Sequence, residues 1–326
     1  MRPAPVAHAF AVLLMFTAAA AARAEWVGDV QAKMGTRIEI RVWADDAAAG
    51  RRVVAAGMAE MDRIEALMST YREDSEISAV NRGAAAGPVA VSPELGRLVR
   101  RALELSVATG GAFDITYESV GRYYDFRARE RPDAATVAAN LPAIDYRHVV
   151  VAADDRSIRF THPGTRINLG GIAKGWACEQ VAADLRAAGI RHGFVTAGGD
   201  TRFIGDRRGQ PWVVGIRDPD RDGATVTRLA LDDQAVSTSG DYERYFDEGG
   251  VRHHHILDPR TGESARGLRS VTVVGPDVTV TEALAKGVFV RGPVDGIAMV
   301  EAVAGYDAVL IDPGHGVRFT AGLAPR

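Results

Sequence analysis

Val54, Met58, Met61, Ile64 and Met68 recur three or four residues apart. That spacing puts them on one face of a helix and predicts an amphipathic helix over about 50–69. A second apolar face, Leu95, Leu98, Val99, Ala102 and Leu105, follows Ser92-Pro93-Glu94. Ser92 has the side chain of an N-cap, Pro93 suits a first helical turn, and Gly110-Gly111 stops the run. Elsewhere the pattern shortens to apolar stretches between turn residues. Residues 148–153 and 157–162 flank Asp154-Asp155-Arg156 and predict a hairpin. Ile167-Asn168-Leu169 reads as a short strand entering a glycine turn, with a helix from about 172 to 188 stopped by Gly189. Further strands are predicted over 193–197, 212–216, 227–231, 252–257 and 270–274. Pro293 opens a last helix carrying Ile297, Val300 and Val303, and 309–311 with 317–319 make a closing hairpin. Strands mixed irregularly with a few long helices predict an α+β fold rather than a regular βαβ alternation. The charged stretch from Asp125 to Pro142, with two prolines, reads as a surface connection between two lobes.

The chain has 326 residues, 47% of them hydrophobic and 25% charged, an ordinary balance for a soluble globular protein. Its net charge of -3, with no long run of one sign, argues against nucleic acid as the main partner. Arg2 and His8 precede an apolar run from Ala9 to Ala22, and Ala22-Arg23-Ala24 fits the small-x-small rule of signal peptidase. The run is shorter than the ~20 residues of a spanning helix. We therefore expect a leader over 1–24, and a periplasmic or otherwise exported mature domain over 25–326 with no membrane span. The single cysteine, Cys178, allows no internal disulfide and is expected buried on a helix.

Candidate chemistry concentrates in Asn168-Leu169-Gly170-Gly171-Ile172-Ala173-Lys174-Gly175. Free amides at a helix N-terminus and a lysine one turn in suit a diphosphate. The spacing is neither that of a Walker A loop nor that of a dinucleotide fingerprint. A plain strand–helix turn with a solvated lysine would look the same. His253 and His255 would share one face of a strand, which is too few ligands for a closed zinc site, and no cysteine cluster or HExxH accompanies them.

Other segments narrow the choice. They are Met34-Gly35-Thr36, Ser69-Thr70-Tyr71, Ser75 to Asn81, Gly110-Gly111-Ala112-Phe113-Asp114-Ile115-Thr116, Ala197-Gly198-Gly199-Asp200, Ser237-Thr238-Ser239-Gly240 and His255-Ile256-Leu257-Asp258-Pro259-Arg260-Thr261-Gly262. With the Lys174 segment, in this order, they resemble the ApbE-type FAD:protein FMN transferase family over nearly the whole chain after the leader. The resemblance implies a T-fold-related, two-lobed fold with the flavin site between the lobes. It implies that Met34, Tyr71, Ala112, Phe113, Asp114, Lys174 and Ile256 line an FAD site, with Asn168 where many members carry aspartate. It also implies a Mg²⁺ held by the carbonyl of Gly171 and by side chains of a later helix.

On that helix the chain departs from the pattern. The family usually has Asp-x-x-x-Thr, whereas the matching positions here are Glu282 and Lys286. Glutamate can bind a hard cation, but an ammonium has no lone pair. Lys286 is expected either to pair with Glu282 and the diphosphate in place of the metal, or to turn outward. The implied reaction carries FMN from FAD onto a Thr or Ser hydroxyl of an acceptor flavoprotein and releases AMP. His255, with an ordinary pKa near ~6.5, is the candidate base. Two alternatives stay open: an FAD pyrophosphatase giving FMN and AMP, and a non-catalytic FAD carrier.

Overall fold

The computed structural model describes residues 24–324, so the leader, apart from Ala24, lies outside the described residues. The chain begins with the strands β1 (Glu25–Lys33) and β2 (Thr36–Ala44), then the helices α1 (Ala47–Met68) and α2 (Glu76–Gly83). A short β3 (Val89–Ala90) precedes α3 (Pro93–Ala108), α4 (Glu118–Gly121) and α5 (Ala134–Asn140). Next come β4 (Val149–Val151), β5 (Ser157–Phe160) and α6 (Ala173–Ala187). The second half runs through β6 (Gly193–Ala197), β7 (Asp200–Ile204), β8 (Trp212–Arg217), β9 (Thr225–Leu231), β10 (Ala235–Gly240), β11 (Tyr245–Glu248) and β12 (Val251–His254). It ends with β13 (Ser270–Gly275), α7 (Val278–Glu301), β14 (Asp307–Ile311) and β15 (Val317–Phe319).

Eight strands form one sheet in the order β1-β2-β6-β7-β10-β13-β14-β15, with every neighbouring pair antiparallel. Strand alternation divides its side chains between two cores. Ile38, Ile40, Val271, Val273, Ala308 and Leu310 join the core beneath α1, α6 and α7. Val274, Val309 and Ile311 point the other way, into a second core closed by Trp212, Ile216, Leu229 and Leu231 of the β8–β9 hairpin. The fold is thus α+β, as the mixed pattern predicts.

The segment between α1 and α6 carries α2 to α5 and the three-stranded sheet β3-β5-β4. Its Leu95, Leu98, Ile115 and Ile158 belong to the same core as Ile38 and Val271. The long helices match their apolar faces. Ser92 accepts from the Leu95 N–H as N-cap of α3, and Asp46 caps α1.

Four readings of the pattern need correction. Ile167-Asn168-Leu169 is not a strand. The side chain of Asn81 serves as its partner instead, accepting from the Ile167 N–H at 2.8 Å and donating to the Ile167 carbonyl at 2.8 Å. The strand read over 252–257 stops at His254, where the chain turns to pack Ile256 and Leu257 inward. Pro293 opens only the second part of α7, which kinks at Gly292 (φ 80°). The charged connection from Asp125 to Pro142 contains α5.

Candidate functional site

The site forms where the segment between α1 and α6 returns to the main sheet. Gly170 and Gly171 end the Asn81-clipped stretch, and α6 starts at Ala173 with no side-chain cap. Its open N-terminus is met from across the core: the Gly175 N–H donates to Oε2 of Glu282, on α7, at 2.7 Å. Such an approach requires glycine at 175, because a Cβ there would lie 2.5 Å from the Val278 carbonyl oxygen.

Four charges converge beside this turn. Lys174 pairs with Oε1 of Glu282 and lies 2.9 Å from Oδ2 of Asp200, on β7. Lys286 pairs with the same Oε1 from one turn along α7, at 3.1 Å. Glu282 is 0% and Asp200 2% exposed. Burial disfavours the Glu282 carboxylate, but Lys174 and Lys286 outweigh it and hold its pKa below the usual range. Burial and then Glu282 raise the pKa of Asp200, against Lys174. Burial also works against the charged form of Lys174, but Asp200 and Glu282 prevail and raise its pKa.

The predicted residues distribute around this cluster. A Cβ at Gly171 would sit 3.3 Å from the Phe113 ring and 3.8 Å from Cε of Lys286, so turn, ring and lysine stem touch. Asn168 accepts from the Gly170 N–H at 2.7 Å and donates to Thr70 and to Glu118. Tyr71, next to Thr70, is 91% exposed, an aromatic ring free on the surface at the site's edge. Met34 (φ 52°) and Gly35 (φ 67°) form the β1–β2 turn, tied by Arg244 to the Gly35 carbonyl at 3.3 Å. The Arg244 carbonyl in turn accepts the His255 N–H at 3.1 Å.

Three predicted residues face inward instead. Ala112 and Ile256 are core residues. Both Asp114 oxygens are used by its own neighbourhood, accepting from the Thr116 N–H and hydroxyl and from the Tyr146 N–H. Burial raises its pKa against those bonds.

His255 is half-buried, and its Nδ1 has no hydrogen-bond partner. Its pKa is not near the ordinary 6.5 expected from sequence but is pushed down to about 3 by burial, then by His254, Lys286 and Arg244. The ring is therefore neutral at physiological pH, with its unpartnered Nδ1 buried. His254 is fixed by contrast. Its Nδ1 accepts from the Ile256 N–H, so Nε2 carries the proton to the Ala265 carbonyl at 2.8 Å.

Two site residues escape sequence reading. Asp200 is the last residue of a quoted motif, but only the β6–β7 turn brings it to Lys174. Glu118 belongs to no motif; burial pushes its pKa up to about 7, opposed by its bond from Asn168.

A divalent cation fits poorly among these groups. Glu282 already accepts from two ammoniums and one amide, and Lys286 has no lone pair to offer. Asp200 Oδ1 is the only carboxylate oxygen of the cluster without a partner among the described residues. One free oxygen does not make a hard-cation site. The one acidic group of metal-binding spacing among the described residues, Asp218 with Asp220 and His315, shares no residue with this cluster.

Comparison with known proteins places the fold and the sequence in one group. The structure is similar to that of the ApbE protein of Thermotoga maritima, with a TM-score of 0.85, 31% identity, and coverage of 91% of this chain and 98% of that one. The flavin transferase ApbE of Vibrio cholerae gives a TM-score of 0.78 at 30% identity, over 91% of this chain and 96% of that one. In sequence, the chain is 34% identical to an FAD:protein FMN transferase of Vibrio cholerae over 74% of both chains. It is 32% identical to one of Treponema pallidum over 90% of this chain and 86% of the other. The ApbE family model matches residues 34–310. The chain belongs to the ApbE family.

Proposed function

We propose that this protein is an FAD:protein FMN transferase, an enzyme that attaches FMN through a phosphoester to a Thr or Ser hydroxyl of an acceptor flavoprotein. One observation carries the reading. The 168–174 segment with its glycine turn, Phe113 and Lys286, far apart in sequence, border one place, and Lys286 is near enough to His255 to depress its pKa.

The residues divide the work. Tyr71 offers an exposed ring for the flavin to stack on. Lys174 and Lys286 supply positive charge for the diphosphate. The acceptor oxygen attacks the phosphorus on the riboflavin side. A P–O bond forms there as the bond to the bridging oxygen breaks, and AMP leaves with that oxygen. His255, neutral at physiological pH, takes the hydroxyl proton.

Supporting this reading, the sequence relatives from Vibrio cholerae and Treponema pallidum are FAD:protein FMN transferases. Incubation with FAD and an acceptor tests it: a flavin adduct that survives denaturation is expected, and release of free FMN and AMP with unmodified acceptor would mean a pyrophosphatase instead.

We also propose export, with a mature chain of residues 25–326, on the strength of Ala22-Arg23-Ala24 after the apolar run. Among the described residues no helix is long and apolar enough to cross a membrane. N-terminal sequencing of the native protein should begin at Glu25; a chain retaining Met1 would contradict export by cleavage.

A further inference from the structure

We propose that Lys286 is a tethered cation which takes the place of a divalent ion, so that this protein binds FAD without a metal. The inference rests on the FAD reading and goes beyond it.

The lysine's position carries the argument. Its stem lies against the Gly171 turn, with Cε 3.8 Å and Cδ 3.9 Å from where a Gly171 Cβ would be. Its ammonium ends 3.1 Å from Oε1 of Glu282. The charge thus stands between the glycine turn and the α7 carboxylate, the two places from which the resemblance draws metal ligands. Nothing holds Lys286 there by accident of exposure, since its side chain is only 18% exposed.

Charge balance agrees. Asp200 and Glu282 are opposed by Lys174 and Lys286, so the buried cluster is neutral as built. A divalent ion would add two charges beside two ammoniums and find both Glu282 oxygens already engaged. Replacing Lys286 by threonine would remove one ammonium, return a neutral oxygen and free part of Glu282. Lysine is also a competent phosphate partner.

Two measurements on the purified full-length protein test this. FAD affinity is read by flavin fluorescence in excess EDTA and again in Mg²⁺, and Mn²⁺ binding is read by electron paramagnetic resonance, with and without FAD. We expect equal FAD affinity in both buffers and no bound Mn²⁺. Lys286→Thr should lose about 10- to 100-fold in FAD affinity in EDTA, the scale of one charged hydrogen bond. It should regain affinity with Mn²⁺ and show a bound-manganese spectrum. If the unmodified protein binds Mn²⁺ and needs a divalent ion to bind FAD, the proposal is overturned and the flavin reading stands. If FAD binds in neither buffer, the flavin reading falls and takes the proposal with it. The measurements on the unmodified protein decide the matter even where the variant fails to fold.

Discussion

The Gly175 N–H donates to Oε2 of Glu282 at 2.7 Å, joining the uncapped start of α6 to the second turn of α7. A buried carboxylate thus sits at the positive end of a helix dipole and between two ammoniums. Glu282→Gln keeps the amide bond but leaves Lys174 and Lys286 without their shared counter-charge. Removing one partner of a buried ion pair costs about 3–5 kcal/mol. Chemical denaturation should show a loss of that size, and Glu282→Gln combined with Lys286→Met should recover part of it.

Gly175→Ala forces α6 away from α7, since the new Cβ would meet the Val278 oxygen at 2.5 Å. Overpacking of this kind costs about 1–3 kcal/mol. Gly87→Ala is the control, because a Cβ there meets nothing within 4 Å. Thermal denaturation should separate the two variants clearly, and a Gly175→Ala protein as stable as the parent would refute the close approach.

His255→Ala should cut the transfer rate by about 10²–10⁴-fold, the usual cost of losing a general base. FAD affinity should hardly change, because the ring acts on the incoming hydroxyl. A variant that transfers FMN at the parent rate, in a single-turnover assay with FAD prebound, would remove His255 from the chemistry.

The pH dependence of stability has a definite sign. An unfolded His255 takes up a proton below its ordinary 6.5, whereas the folded ring does so only near 3. Between those values the unfolded state binds more protons, so the histidine costs stability as pH falls. Glu118 acts in the opposite sense. Its folded pKa of about 7 lies above the unfolded 4.5, so the folded state gains as pH falls through that window. Melting temperatures from pH 7 to pH 5 should therefore favour His255→Gln increasingly over the parent as pH falls, while Glu118→Gln should lose ground to it.

Much of this arrangement is legible in the sequence wherever one face of an element is buried and the other wet. The helices α1 and α3 and the strand β6 follow directly from their apolar spacing and caps. The first part of α7 shows no such pattern. From Val278 to Val290 only Lys286 escapes full burial, so no polar face marks the helical period. Ile167 to Leu169 has the composition of a strand, but its partner is a side chain 86 residues away, which spacing cannot reveal. Asp200 and Glu118 stay hidden for the same reason. The Lys174–Glu282 pair spans 108 residues, and the motifs name its ends without saying that they meet. The pKa of His255 depends wholly on burial and neighbours, so its ordinary value misleads.

The transfer reaction itself is the most direct test. The purified protein is incubated with FAD and an extract from cells lacking this gene, and the proteins are denatured, separated and examined for in-gel flavin fluorescence and by mass spectrometry. The account predicts a fluorescent band whose mass has risen by one FMN less water, on a Thr or Ser, with one AMP released per adduct and far slower formation by His255→Ala. Intact FAD, or free FMN and AMP with no modified protein, would contradict it.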